Sequence, residues 1–294
     1  MSKKTNINDP QSDTVYPEKV KTDTTNENLS SSANGLQEDL KGFKPFRWDI
    51  LPDSFTGIWV GSRRSGKGVN TNFLIQEIQK NSKTPFNAIF LFSTTDAGYK
   101  GIPSGFRYND LEAIDSIIEK QKEIKRYNET LNKYDEPVIS RVLLVIDDHA
   151  SGNSLRSTNT LNDLFLNGRH ISGKYNSLSV IVTTQSLTAI NRKMRLNSDV
   201  ICFNSLSSRQ EQMLVLDECF FVLGTSRKEI ERTRQIYHKL VSSKPFRFIV
   251  VGNFISNKRR LEDYIFTYDA KIEKDFQFFG NKMLNISVDN NLYD

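Results

Sequence analysis

Apolar side chains are spaced very unevenly along this chain, and their spacing divides it into three parts. Residues 1–41, rich in Ser, Thr, Asn, Asp and Lys, have too few large apolar groups to offset the entropy of ordering and are expected to form a disordered arm. From Gly42 the pattern becomes periodic. GFKPFRWDILPDSF is expected to be an ordered lead-in at the domain edge, and Thr56 to Val60 a short strand. Val69 to Lys80, with Val69, Phe73, Ile75 and Ile78 at helical spacing and no internal Gly or Pro, predicts a helix. Asn87 to Phe92 is an apolar run of strand length, as expected of a strand buried on both faces. Asp110 to Lys133 sets isoleucines among alternating charges and predicts an amphipathic helix. Strand-like runs follow at Val142 to Ile146, Ser179 to Thr183, Asp199 to Phe203 and Phe246 to Val251. Helix-like stretches at Leu161 to Asn167, Ser208 to Leu216 and Lys228 to Val241 separate them. This alternation predicts an α/β domain over 42–265 with a mostly parallel central sheet flanked by helices. Beyond it, 266–294 loses the pattern and is expected to be a tail of undefined structure.

Composition changes this picture little. No apolar run reaches the 18 residues of a membrane span, and no apolar stretch follows the basic start as in a secretory signal, so a cytosol-like compartment is expected. The two cysteines, Cys202 and Cys219, lack metal-ligand spacing and read as reduced core residues. A net charge of +5 permits a polyanionic partner without specifying one.

The candidate chemistry lies at the ends of the predicted strands. Gly61-Ser62-Arg63-Arg64-Ser65-Gly66-Lys67-Gly68 satisfies G-x-x-x-x-G-K between a strand and a helix that opens at Val69. In that setting backbone N–H groups and a helix N-terminus cradle phosphates, and Lys67 reaches the outer ones. The alternative is a chance Gly-rich turn. Gly68 stands where a Ser or Thr hydroxyl normally ligates Mg2+, and Thr71 is too far along the helix to replace it with assurance. The run Val142 to Ile146 delivers Asp147 and Asp148 to the carboxyl edge of the sheet, where open α/β folds bind ligands. Asp147 suits magnesium and Asp148 suits activation of the attacking water; the alternative is a solvated turn with His149. The run ending Thr183-Thr184-Gln185 would place Gln185 as a γ-phosphate sensor if its strand lies between the phosphate-loop strand and the Asp147 strand.

Taken together, GSRRSGKG, VLLVIDD, LFLNGRH and VIVTTQS resemble the genome-packaging ATPases of poxviruses and other large DNA viruses and virophages, within the FtsK and HerA superfamily. The resemblance spans roughly residues 55–254. It implies a RecA-like ASCE P-loop NTPase core, a homo-oligomeric ring, and ATP- and Mg2+-driven movement of double-stranded DNA into a capsid, hence viral capsid proteins as partners. It also implies a place in the virion or at an assembly site in the host cytoplasm. On matching positions it makes Lys67 the phosphate lysine, Asp147 and Asp148 the acidic pair and Gln185 the polar sensor. Ring ATPases usually borrow an arginine from the neighbouring subunit, and Arg169 and Arg209 are the candidates; either could equally be a surface ion-pair residue. Arg192, Lys193 and Arg195, and the cluster Lys258 to Arg260, are candidate contacts for the DNA backbone or a neighbour, with a solvated face as the plain alternative. Two rival functions stand beside this one: a nucleotide kinase, since GKG also occurs in adenylate-kinase-like loops, and a capsid assembly or docking factor that binds nucleotide with little or no hydrolysis.

Overall fold

Eight strands form one sheet in the order β3-β2-β4-β5-β1-β6-β7-β8. The computed structural model describes residues 40, 42–95, 99, 101–149, 159–206, 208–220 and 226–271, all within one compact unit spanning 39–294. The expected disordered arm lies outside the described residues apart from Leu40, and so does the tail beyond Lys271. The strands are β1 (Thr56–Val60), β2 (Ala88–Ser93), β3 (Arg107–Tyr108), β4 (Ser140–Asp147), β5 (Asn176–Thr184), β6 (Val200–Phe203), β7 (Phe248–Gly252) and β8 (Ile265–Tyr268). The helices are α1 (Lys67–Asn81), α2 (Ala113–Thr130), α3 (Asn159–Ile171), α4 (Arg192–Asn197), α5 (Arg209–Cys219) and α6 (Arg227–Ser242).

From β3 through β6 every pairing is parallel, while β7 runs antiparallel to β6 and β8 antiparallel to β7. Every residue of β1, β2, β5, β6 and β7 is buried, so both faces of the sheet are covered there. That is why these strands read as unbroken apolar runs rather than alternating ones. Helix α1 is fastened to the strand it follows by Trp59, fully buried, whose Nε1 donates to Asn70 Oδ1 at 2.8 Å. Helix α6 opens with a capping box: Ser226 Oγ accepts from Glu229 N at 3.3 Å, and the Glu229 carboxylate accepts from Ser226 N at 3.1 Å.

The predicted strands and helices are all present, with boundaries shifted by a few residues. The boundary drawn at 265 falls inside β8. Phe266 and Tyr268 are buried there, and Phe46 of the lead-in sits edge-on to both rings. The lead-in itself runs along β8, with Phe46 N donating to Thr267 O at 2.7 Å and Thr267 N to Lys44 O at 3.0 Å. The four-residue run IFTY is too short for its own pattern to announce this strand. Both cysteines are free, buried thiols, and burial pushes Cys219 up to about 12.

Arg195 differs from its expected place. Its guanidinium is buried, forks onto Glu218 at 2.7 and 2.8 Å and donates to Ile190 O, so it is neither a DNA contact nor part of a solvated face. The sequence could not show this, because its partner is on α5, 23 residues away. Arg192 and Lys193 of the same helix are exposed. Lys258 reaches over the Tyr264 ring and donates to Asn253, while Arg260 pairs with Asp263 at 3.6 Å. Removing one partner of a nearly buried pair strands the other charge, so Arg195→Ala should cost about 3 kcal/mol in urea unfolding. A loss within the ~0.5 kcal/mol of ordinary surface changes would contradict this.

Candidate active site

The site forms where three parallel strands, β1, β5 and β4, present their carboxyl ends side by side. Strand β5 lies between the other two: Val60 pairs with Thr184, and Asp147 pairs with Thr183. This is the order on which the sensor reading of Gln185 depended. One short cross-section of the sheet therefore brings the glycine loop, the acidic pair and the polar strand end to the same edge.

The loop Gly61 to Gly66 is held on both sides. Gly61 N donates to Thr184 O at 3.1 Å, and Asn204 beyond β6 donates its amide to Ser65 O at 3.0 Å. A Cβ on Gly61 would lie 2.4 Å from Ser65 Oγ and 2.9 Å from Asn204 Oδ1, so only glycine fits the closed loop. Arg64 and Gly66 both take positive φ, 63° and 91°; at Gly66 this lets the chain turn directly into α1 without a Cβ penalty. The first turn of α1 thus stands with its free N–H groups over the loop, an arrangement suited to anions. Ser62, Arg63 and Arg64 are exposed, Ser65 is buried, and Val69 is 43% exposed on the first turn of α1.

Lys67 is nearly buried, and its Nζ folds back on the loop, donating to Gly61 O at 2.7 Å and Ser62 O at 3.3 Å. Burial lowers its pKa, while the charges of Asp148 and Asp147 oppose that shift. The ammonium is thus held by the loop's own carbonyls, within electrostatic reach of the acidic pair. Asp147 Oδ1 accepts from Thr183 Oγ1 at 2.5 Å and from Tyr99 OH at 3.3 Å. Burial raises the Asp147 pKa, and the Thr183 hydrogen bond works against this. The neighbouring Asp148 raises it further, while Tyr99 and Lys67 lower it.

Asp148 leaves the strand in a left-handed conformation, φ 55°, which Asp tolerates better than most residues. Its carboxylate accepts from Gln185 Nε2 at 2.9 Å, and its N–H lies 3.3 Å from both Thr183 O and Thr183 Oγ1. The two carboxylates are thereby given different surroundings. Both are half-buried, but Asp147 accepts from two hydroxyls and Asp148 from an exposed amide. His149 is half-buried, and burial lowers its pKa.

The structure brings Lys67, Asp147, Asp148 and Gln185 together. Three further residues went unnoticed in the sequence. Thr183, within the strand that ends in Gln185, is the residue that holds Asp147. Tyr99, fully buried between Thr71 and Asp147, has its pKa raised by burial and lies in a segment without periodic pattern. Asn204 fastens the loop from β6. Thr71 is fully buried one turn into α1. A Cβ at Gly68 would meet no atom outside its own helix backbone within 4 Å. The arginines lie apart from the cluster. Arg169, exposed near the end of α3, lines a cavity of about 450 Å3 with Thr56 and Asp199, at the opposite edge of the sheet from the glycine loop. Arg209, exposed, opens α5 on the same edge as the loop, and Glu211 in the same first turn ties that helix to the segment after Gln185. Its carboxylate accepts from Leu187 N at 2.8 Å, Thr188 N at 3.3 Å and the hydroxyls of Ser186 and Thr188.

The donor set suits a nucleotide and its cation. The loop and the start of α1 provide an anion cradle with one ammonium at its side. Among the described residues no group of three or more His, Cys, Asp or Glu is placed to hold a metal ion.

No protein-family profile matches the chain, and no curated protein matches it. Solved structures do. The genome packaging NTPase B204 from Sulfolobus turreted icosahedral virus 2, in complex with sulfate, superposes with a TM-score of 0.50 at 13% identity, covering 76% of this chain and 100% of that one. The pCW3 conjugation coupling protein TcpA, in its monomer form with ATPγS, gives a TM-score of 0.50 at 12% identity over 84% of this chain and 74% of that one. The chain has the fold of these P-loop ATPases: a RecA-like ASCE core with a mostly parallel sheet between helices. Among the described residues no helix is long and apolar enough to cross a membrane.

Burial makes ionised Asp147 an internal cost. Because its folded-state pKa is raised, its contribution favours folding at low pH and is lost as pH rises through that value. Asp147→Asn should therefore raise the thermal midpoint at pH 7, with the gain shrinking as pH falls into the carboxylate range. A lower midpoint at pH 7, or a gain independent of pH, would contradict the assignment.

Proposed function

We propose that this chain is an ATP-hydrolysing motor of the FtsK and HerA superfamily, working as a homo-oligomeric ring that packages double-stranded viral DNA into a capsid. The observation that carries the reading is the pair Asp147-Asp148 set opposite Lys67 with Gln185 on the intervening strand. Two adjacent carboxylates in different surroundings suit two tasks, and a simple nucleotide switch needs only one of them. Gly61 to Val69 hold the phosphates through backbone N–H groups, and Lys67 neutralises the outer phosphate. Asp147, held by Thr183 and Tyr99, would hold Mg2+, which would supply positive charge at the transferred phosphoryl group. Asp148 accepts a proton from the attacking water, and Gln185, bonded to it, exchanges that contact for the γ-phosphate or the water. In this reading hydrolysis waits on Gln185 releasing Asp148.

The arginine that completes the site comes from a neighbouring subunit. Arg209 and Arg169 are both exposed and both outside their own subunit's cluster, as such a residue must be. The packaging role rests on the motif resemblance and on the fold shared with a viral packaging NTPase. Double-stranded DNA, bound without sequence preference, capsid proteins, and a place in the virion or host cytoplasm belong to the same reading. Arg192 and Lys193 on α4 are the exposed pair offered for the DNA backbone.

One observation favours the assembly-factor alternative, the missing hydroxyl at Gly68. Because a Cβ there has open space around it, Gly68→Ser is a clean probe. In a working motor it should change turnover little; a sharp rise from near-zero turnover would favour the assembly factor. The main test is ATP hydrolysis by the full chain with and without double-stranded DNA. Turnover should rise with DNA and fall by at least about a hundred-fold in Lys67→Ala. Turnover indifferent to DNA, or retained in Lys67→Ala, would overturn the proposal.

A further inference from the structure

Phe246 breaks two rules of a stable surface turn at once. It is 69% exposed, and its φ is 58°, in the left-handed region where a bulky aromatic is a genuine outlier. A glycine or asparagine would relieve both costs. The surrounding turn is tied by side-chain bonds. Arg247 forks onto Asp269 at 2.9 and 2.7 Å and donates to Ser243 Oγ at 2.8 Å, and Lys244 reaches the same carboxylate at 3.2 Å. The strained backbone is thus held from both sides, and the ring is presented to solvent.

Its position gives the ring a use. Strand β7 is antiparallel to β6, so the turn before it lies at the carboxyl edge of the parallel strands, beside the phosphate loop. A Cβ on Gly66 would lie 3.6 Å from Phe246 Cδ1, which places the ring in van der Waals reach of the loop's last glycine. The ring also lies on the flank of β1 that faces β6, away from β4 and its carboxylates. A nucleotide whose outer phosphate meets Lys67 and Asp147 extends its base away from the acids, along this flank. Val69, the exposed apolar residue on the first turn of α1, belongs to the same end of the loop.

We propose that Phe246 is the base-stacking residue of the nucleotide site, which selects purine nucleoside triphosphates by the area of the ring system. Its neighbours Lys244 and Arg247 are committed to Asp269, so neither is free to read the base edge, and ATP and GTP should bind alike with CTP and UTP weaker. This assignment rests on the nucleotide reading of the Gly61 to Val69 loop. The test is calorimetric titration of the full-length protein with ATP, GTP, CTP and inorganic tripolyphosphate, on wild type, Phe246→Gly and Phe246→Tyr.

The expected result is a roughly ten-fold loss of ATP affinity in Phe246→Gly with tripolyphosphate unchanged. Phe246→Tyr should restore ATP binding, and the thermal midpoint of the glycine variant should not fall below wild type, since glycine relieves the strained φ. Unchanged ATP binding in Phe246→Gly would overturn the proposal. Equal loss of ATP and tripolyphosphate would also overturn it, by showing that the ring shapes the loop instead. Wild-type protein that binds ATP and tripolyphosphate but prefers CTP would refute the selectivity alone, whereas binding of neither would remove the underlying nucleotide reading.

Discussion

Everything at the candidate site depends on the register between β4 and β5. Thr183 stands opposite Asp147, and its hydroxyl donates to that carboxylate while its carbonyl faces the N–H of Asp148. A slip by one residue would turn Thr183 away and break both contacts, because side chains alternate faces along a strand. The same strand is bonded on its other edge to β1, and Thr184 O holds Gly61 N at the start of the glycine loop. Strand β5 is therefore the common ruler for the phosphate loop on one side and the acids on the other. Its nine buried residues lock that register with hydrogen bonds on both edges.

The price of this arrangement is a group of charges removed from water. Burial pushes Lys67 and Asp147 toward their neutral forms, and their attraction across the loop opposes the shift in both. Asp147 also carries the repulsion of Asp148 beside it. Hydroxyls from Thr183 and Tyr99, and the amide of Gln185, supply hydrogen bonds that water would otherwise make. The site is poised rather than relaxed: a polyanion would relieve Lys67, and a cation would relieve Asp147. The left-handed Asp148 and Phe246 belong to the same economy, with local strain concentrated around one edge of the sheet.

Much of this was legible in the chain. Strands buried on both faces leave unbroken apolar runs, and the glycine loop and acidic pair declare themselves because their chemistry needs fixed residue types at fixed spacing. Tertiary partners were not legible. Arg195 reads as one of three basic residues just past Gln185, and only Glu218 on a distant helix turns it inward. Tyr99 reaches Asp147 across 48 residues. Phe246 looks like the first residue of a strand that begins two residues later, and nothing local marks its backbone as strained. The ordered edge at β8 was missed because four residues carry too little pattern, although the aromatics of the lead-in that covers it were visible.

The central claim is that the carboxylate at the end of β4, freed from Gln185, activates water against a phosphate held by the glycine loop. Rapid-quench measurement of ATP cleavage in Asp148→Asn, with ATP binding measured on the same preparation, tests it most directly. The account predicts nucleotide binding close to wild type and cleavage slower by on the order of a hundred-fold or more. Cleavage at the wild-type rate would remove Asp148 from the chemistry and contradict the account.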